Sequence, residues 1–229
     1  MKSIQIFGPY VTITLGIDIS PNMVAIYNTR ARTAGLPTTT INAVVGDLFA
    51  RPQPTELSGP EYQGFDLATV GFGFHHFEDV VHAARSLKER LRPGGVLVIN
   101  DFLEGGDVRA DENGDPIQGS EGDITGAINH HHHNDHGQVH HHHHHHHQED
   151  SDDPTRNVGA EMNASVVVPH FNVDGVKEFF TEAGFVDVDV VIMKEKVYME
   201  FAGKNMWRTI LFAKGRRPLE GGEKEKSEL

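Results

Sequence analysis

The chain has 229 residues, of which 20 are Lys or Arg and 33 are Asp or Glu, so its formal net charge at pH 7 is -13. An acidic surface repels nucleic-acid phosphates, which argues against a nucleic-acid partner. No apolar run approaches the roughly 20 residues that cross a bilayer, so we expect no membrane partner and a cytoplasmic location. The absence of cysteine excludes disulfides and thiolate chemistry.

The first predicted elements are a strand and a helix. Residues 12–17 are apolar and β-branched, which predicts a strand. Ser20 and Pro21 then supply an N-cap and a first-turn proline for a helix over 22–34. Asp18 lies between them, at the carboxyl end of the predicted strand, where doubly wound folds hold nucleotide ribose. The pattern therefore predicts a nucleotide-like cofactor.

The alternation of strands and helices continues to about residue 100. Further strands are predicted over 40–45, 65–71 and 96–99, with a Pro/Gly-rich loop over 51–64 and an amphipathic helix over 79–91. Arg92-Pro93-Gly94-Gly95 is predicted to end that helix before the last strand. Strands that alternate with helices are typical of a parallel sheet with right-handed crossovers.

The second half of the chain is interrupted by a polar stretch. From 105 to 154 the periodicity disappears into Gly, Asp, Glu, Asn and His, which predicts a disordered insertion. A helix is predicted over 173–183, ended by Gly184. Two strands follow, over 187–193 and 207–213, and because no helix joins them we expect an antiparallel pair at the sheet edge.

We expect one domain interrupted by the insertion. It comprises a cofactor-binding α/β core at 1–104, a disordered His-rich insertion at 105–157, a C-terminal helix and β-hairpin at 158–217 that complete the same domain, and a disordered tail at 218–229.

Four segments together resemble the class I S-adenosylmethionine-dependent methyltransferases, especially the small-molecule enzymes of fungi. They read GIDISPNM at 16–23, VGDL at 45–48, FDLATVGFGFHHF at 65–77 and LRPGGVLVI at 91–99. Each piece is weak, but their order and intervals are those of the family. The resemblance implies a doubly wound, mostly parallel, Rossmann-like sheet with a C-terminal antiparallel hairpin.

The resemblance also implies S-adenosyl-L-methionine as the cofactor and assigns residues to it. Asp18 would accept hydrogen bonds from both ribose hydroxyls, a role for an ionised bidentate acceptor. Ile19 and Met23 would contact adenine, Asp47 would accept the adenine amino group, and Leu48 would offer its backbone amide. The alternatives are that Asp18 only begins the helix cap, that the apolar residues are core, and that Asp47 is a surface turn acid.

The segment after the strand over 65–71 lies where the family's cofactor and acceptor pockets meet. Gly71 lets backbone approach a ligand, and Phe72 is an aromatic that can flank a sulfonium. Because imidazole titrates near neutral pH, His75 or His76 is a candidate catalytic base for a hydroxyl or amine acceptor, and the alternative is a packing role. Asp101 is a weaker candidate after the next strand.

One departure from the family concerns its glycine-rich turn. Members carry an acid-x-Gly-x-Gly-x-Gly turn after their first strand, whereas residues 1–10 contain only Gly8. That first strand is central in the family's sheet. We therefore expect the strand that ends near Asp18 and the strand over 65–71 to lack a shared neighbour, unless residues 3–7 supply a surrogate strand.

The histidine tract does not change this interpretation. His130–His133, His136 and His140–His147 offer ligands for zinc, nickel or copper, but a flexible run has no fixed geometry or second shell, so we assign no metal site. The expected function is methyl transfer to a small-molecule nucleophile. The alternatives are a non-catalytic methyltransferase-like remnant, an NAD-dependent oxidoreductase in which Asp18 holds the NAD ribose, and a metal-buffering protein.

Overall fold

The computed structural model describes residues 10–122, 166–168, 170–201 and 204–219. The chain forms two compact units, Met1–Gly64 and Phe65–Leu229. The boundary between them falls inside the segment 1–104 that the sequence predicts to be one cofactor-binding core. Residues 3–7, the histidine tract and residues 220–229 lie outside the described residues, so the predictions made for them stay predictions.

The first unit contains the predicted strand-helix-strand sequence. Its elements are β1 Thr14–Asp18, α1 Pro21–Thr33 and β2 Ile41–Val45. The two strands pair in parallel, from Thr14 opposite Ile41 to Asp18 opposite Val45. The predicted N-cap is confirmed, because the Ser20 hydroxyl accepts from the Met23 amide at 3.3 Å. The register places Asp18 at the carboxyl end of a parallel strand.

The predicted loop over 51–64 contains two short 3-10 turns, Thr55–Leu57 and Pro60–Tyr62. Leu57 is buried, and a methyl group added at Gly46 would lie 2.9 Å from its side chain. The loop therefore packs against the chain that follows β2.

The second unit contains the remaining elements. They are β3 Phe65–Gly71, α2 Val80–Arg90, β4 Leu91–Phe102, β5 Val108–Arg109, α3 Val173–Glu182, β6 Val186–Ile192, β7 Val197–Phe201, β8 Lys204–Arg208 and β9 Ile210–Arg216. Within the described residues the main sheet has the order β3-β4-β9-β6. β3 and β4 are parallel, and β9 is antiparallel to both of its neighbours. The predicted antiparallel pair at the sheet edge is confirmed.

The prediction of disorder is wrong for residues 105–122. β5 pairs with β8, and β8 pairs with β7, in a second antiparallel sheet. A turn follows β5, in which the Asp111 carboxylate accepts from the amides of Asn113 and Asp115 at 2.8 and 2.9 Å. The Trp207 indole donates to the Gly114 carbonyl at 2.8 Å. Residues 105–122 are held in place by turn hydrogen bonds and by pairing with a strand that is distant in the sequence. Neither of these produces a hydrophobic periodicity in the sequence.

Two strand boundaries also differ from prediction. β4 begins at Leu91 and includes the Arg92–Gly95 stretch that was predicted as a stop, because Gly94 and Gly95 exchange backbone hydrogen bonds with Arg217 just beyond β9. The strand predicted over 207–213 is instead two strands, divided at Thr209. Lys204 and Asn205, which precede the predicted strand, belong to β8.

The core of the second unit lies between the main sheet and its helices. In α3 the buried side chains are Val176, Phe179 and Phe180. Phe179 stacks on Phe74 with ring centroids 5.6 Å apart. Gly184 has a φ of +84° and follows the helix end, as predicted. Residues 3–7, the expected surrogate for the missing first strand, lie outside the described residues, so the expected loss of a shared neighbour stays a prediction.

Candidate functional site

In the first unit, Asp18 is exposed at the end of β1. Its Oδ1 accepts from the amide of Ser20 at 2.8 Å, so the predicted alternative of a local cap role is partly realised. Its Oδ2 makes no hydrogen bond within the part of the chain that the structure describes. The carboxylate therefore keeps acceptor capacity for an outside ligand.

The two apolar residues predicted to contact adenine are not core residues. Ile19 is 72% exposed and Met23 is 54% exposed. Val45, opposite Asp18 in the parallel pair, is also exposed. Exposed apolar side chains beside a carboxylate form a surface on which a flat, partly polar ligand can lie.

Asp47 and Leu48 follow β2. Asp47 is exposed, and its Oδ1 accepts from the Phe49 amide at 2.9 Å, as in a surface turn. Leu48 has a buried side chain, while its amide donates no hydrogen bond to another described residue. The first unit thus brings Asp18, Ile19, Met23 and Asp47 to the carboxyl ends of β1 and β2.

In the second unit, Gly71 ends β3 and Phe72 follows it with a strained backbone. Phe72 has a φ of +52°, uncommon for a residue other than glycine, and its amide donates to the Asn100 carbonyl at 2.8 Å. Its ring is 37% exposed and stacks on Phe102 at 5.0 Å. The strained turn presents an aromatic face at the end of the parallel pair β3 and β4.

His75 and His76 are placed differently. The His75 residue is 7% exposed and lies against Asp101, whereas His76 is half-buried, with its ring 4.0 Å from the His75 ring. Asp101 is fully buried. Its Oδ1 accepts from His75 Nδ1 at 2.8 Å and from the Phe102 amide at 2.9 Å, and its Oδ2 accepts from the His75 amide at 3.2 Å.

This pairing indicates the tautomer of the neutral His75 ring. A carboxylate oxygen beside Nδ1 accepts a hydrogen bond, so Nδ1 carries the proton and Nε2 carries the lone pair. Nε2 makes no hydrogen bond to another described residue, and the side chain is 9% exposed. His75 therefore has one fixed nitrogen and one available nitrogen.

A second buried cluster lies next to this pair. The Arg208 guanidinium sits 3.3 Å from the centre of the Phe102 ring, and its Nε donates to Asp107 Oδ1 at 2.9 Å. The other oxygen of Asp107 lies 3.1 Å from His170 Nε2, which also lies 3.1 Å from an Arg208 nitrogen. His170 Nε2 can donate to Asp107 or accept from Arg208, but not both at once. The Asp107 charge offsets that of Arg208 in either case.

The sequence analysis did not single out Asp107, His170 or Arg208. One signal was present, since Arg208 is a charged residue within the predicted strand over 207–213. Such a residue is almost always paired when buried. Its partners come from β8, from the chain after β4 and from the approach to α3, so only the tertiary structure joins them.

Comparison with known proteins fits this geometry. The sequence profile of a methyltransferase domain family matches residues 4–97. An uncharacterized methyltransferase of Schizosaccharomyces pombe is 31% identical over 103 residues, which cover 43% of this chain and 34% of that protein. A demethylmenaquinone methyltransferase of Thermus thermophilus is 35% identical over 88 residues, covering 38% and 36%.

Residues 4–97 of the chain are therefore similar to the methyltransferase domain family. The fold is similar too: the crystal structure of YcgJ from Bacillus subtilis superposes with a TM-score of 0.53 at 12% identity, covering 95% of this chain and 87% of that one. The chain spans about a third of the length of the curated relatives it matches. No helix in the described ranges is long and apolar enough to cross a membrane.

Proposed function

We propose that this protein transfers a methyl group from S-adenosylmethionine to a nucleophile on a small molecule. The observation that carries the proposal is the exposed Asp18 carboxylate at the carboxyl end of β1, inside the segment that matches the methyltransferase domain family. The net charge of -13 favours a small-molecule acceptor over a nucleic acid.

The residues present fit the adenosine half of the cofactor. Asp18 Oδ2 is available for a ribose hydroxyl, and the Leu48 amide is available for a ring nitrogen of adenine. Ile19 and Met23 supply exposed apolar contact, and Asp47 has a second oxygen for the adenine amino group. The methionine half is not tested by this fit, because residues 1–9 are outside the described ranges.

The cofactor supplies an electrophilic methyl group on a sulfonium when it is bound. The protein's own contribution is to hold the adenosine, position the acceptor, exclude water and accept a proton where the nucleophile carries one. Asp18, Ile19, Met23, Asp47 and Leu48 are assigned to adenosine. In the second unit, we assign Gly71 and Phe72 to the approach of the cofactor, and His75 or His76 to the proton.

Two substitutions of Asp18 separate its ribose role from its cap role. Asp18→Asn keeps a side-chain oxygen for the Ser20 amide but removes the charge, whereas Asp18→Ala removes both. Calorimetric titration of the full chain with S-adenosylmethionine should show at least a tenfold loss of affinity in both variants, since charge-assisted bonds contribute about 1.5–3 kcal/mol each. Thermal stability should fall only for Asp18→Ala.

The control is Asp66→Asn, which removes an exposed carboxylate bonded to Arg92 in the second unit. It should bind the cofactor like the wild type. Equal affinity in the wild type and both Asp18 variants would show that the ribose site is elsewhere. Titration with NADH in the same cell tests the oxidoreductase alternative, because a ribose-binding carboxylate alone does not distinguish the two cofactors.

A further inference from the structure

We infer that Asp101 positions His75 as the proton acceptor of the reaction, and that the methyl acceptor is a hydroxyl group on a planar apolar molecule such as a phenol or enol. The inference rests on the proposed function and extends it, because it chooses between the two histidines and names the chemistry of the acceptor. It is argued from the His75–Asp101 pair and the ring of Phe102.

The first step is that His75 is held from both sides. Asp101 accepts from the His75 ring at 2.8 Å and from its amide at 3.2 Å. The His75 carbonyl accepts from the amides of Val167 and Val168 at 2.9 and 3.1 Å. Because hydrogen bonds hold both the backbone and Nδ1 of His75, the imidazole ring is already oriented before a substrate binds, with Nε2 facing one direction.

The second step is that Nε2 of His75 is available for a proton. It makes no hydrogen bond in the described part of the chain, and 9% of the side chain is exposed. His170 differs because its Nε2 is engaged by either Asp107 or Arg208. A general base needs both a lone pair and access to the substrate, and His75 has both.

The third step concerns what can lie next to that nitrogen. The His75 ring is 5.4 Å from the Phe102 ring, which in turn stacks with the half-exposed Phe72. Aromatic walls favour a planar apolar acceptor. A neutral amine has a free lone pair and can attack before it loses a proton, whereas a hydroxyl becomes a strong nucleophile only as its proton is removed. A positioned proton acceptor beside these rings therefore points to a hydroxyl acceptor.

The reaction then balances as follows. The hydroxyl proton passes to His75 Nε2, and the oxygen lone pair forms the new bond to the methyl carbon. The electron pair of the broken carbon–sulfur bond returns to sulfur, which becomes a neutral thioether. The positive charge lost from the sulfonium appears on the His75 imidazolium, where it faces the buried Asp101 carboxylate. Within the described ranges, the Asp101 carboxylate accepts hydrogen bonds from the ring and amide of His75 and from the Phe102 amide, so it acts as a positioning residue.

The test compares two buried aspartates that each contact a histidine. In the full chain labelled with 15N-histidine, the His75 signals are assigned by their loss in His75→Gln. We expect the Nδ1–H tautomer at neutral pH in the wild type. Asp101→Asn should shift His75 toward the Nε2–H tautomer, because its carboxamide NH2 can donate to Nδ1. Asp107→Asn, which is equally buried but contacts His170 and Arg208, should leave His75 unchanged. An Nε2–H tautomer in the wild type would overturn the inference.

A second readout uses 4-nitrophenol as the hydroxyl probe, at a pH where the free probe is mostly protonated. Bound to the wild type or to Asp107→Asn, it should show the absorption band of its phenolate. The band should be lost in Asp101→Asn and His75→Gln. Absence of the band in the wild type would overturn the hydroxyl assignment.

Titration with S-adenosylmethionine in the same samples separates this inference from the proposed function. Wild type, Asp101→Asn and His75→Gln should bind the cofactor equally, within about twofold, because neither residue is assigned to adenosine. If no variant binds it while the tautomer and the band behave as stated, the methyl-transfer proposal fails and the proton-accepting pair stands. If all three proteins bind S-adenosylmethionine and the phenolate band is absent, the hydroxyl assignment fails and the methyl-transfer proposal stands.

Discussion

The side chain of Asn28 on α1 bonds both backbone groups of Ala43 on β2. Asn28 Nδ2 donates to the Ala43 carbonyl at 2.9 Å, and the Ala43 amide donates to Asn28 Oδ1 at 2.8 Å. The side-chain amide thus replaces a neighbouring strand at this point. It ties the helix to the strand whose end carries Asp47, and so helps to hold the residues that we assign to adenosine.

Asn28→Leu should destabilise the first unit, because it leaves two half-buried backbone groups without partners. Two lost hydrogen bonds predict a loss of about 1–3 kcal/mol in the free energy of unfolding. The rate of hydrogen exchange at the Ala43 amide should increase by a factor that corresponds to this loss in the free energy of unfolding. The matched control is Asn22→Leu on the exposed face of the same helix, which should change stability by less than about 0.5 kcal/mol. Equal effects of the two changes would contradict the role of Asn28.

Gly215 on β9 has no room for a side chain. A methyl group there would lie 2.6 Å from Phe180 Cδ1 and 2.9 Å from Phe185 Cβ. Gly215→Ala should therefore cost about 1–3 kcal/mol by overpacking. In a double-mutant cycle with Phe180→Leu, the combined loss should be smaller than the sum of the single losses, because the smaller side chain relieves part of the clash. Additive losses, measured by urea unfolding, would argue against this contact.

The amine of Lys88 donates to the Ala183 carbonyl at the end of α3. Burial lowers the pKa of Lys88 from its usual 10.5, and the charge of Arg85 lowers it further. Between the folded-state pKa and 10.5 the unfolded chain binds more protons, so this group makes stability rise with pH across that window. The unfolding free energy of the wild type minus that of Lys88→Met should thus increase with pH there.

The control for the pH series is Lys177→Met, which removes an exposed lysine of α3. The pH dependence of the stability difference should be larger for Lys88→Met than for this control. If the difference in unfolding free energy between the wild type and Lys88→Met did not change with pH, the Lys88 amine would be as well solvated in the folded protein as in the unfolded chain. The measurement is urea unfolding followed by circular dichroism.

The buried pair of Asp107 and Arg208 should behave as a unit. Asp107→Leu leaves the Arg208 charge buried, and Arg208→Met leaves the Asp107 charge buried, so each should cost about 3–5 kcal/mol. The double variant should be more stable than either single variant, because no isolated charge remains. Thermal unfolding of the three proteins checks the order. A double variant with the summed loss of both would show that the two side chains contribute independently.

Much of the fold was predictable because its signals are local. The cap at Ser20, the apolar face of α3 and the parallel strands on either side of α1 follow from residues close together in the sequence. The strands β5, β7 and β8 were missed because their order comes from pairing between distant segments and from turn hydrogen bonds. Neither the strand pairing nor the turn hydrogen bonds produce a hydrophobic periodicity in the sequence.

The site shows the same division. Asp18 and Asp47 were found because each directly follows a predicted strand, and their roles toward a cofactor remain predictions. Asp101 was only a weak candidate, because its partner His75 lies 26 residues away and the hydrogen bond between them has no sequence signature.

The amino-acid sequence by itself determined the strand-helix-strand order of the first unit, the helix α3 and the resemblance to methyltransferases, because periodicity, capping and motif spacing are properties of neighbouring residues. Only the tertiary structure decided that Asp101 orients His75, that Arg208 lies over Phe102, and that Ile19 and Met23 are exposed. Those relationships depend on which distant side chains the packing brings within hydrogen-bond or van der Waals distance.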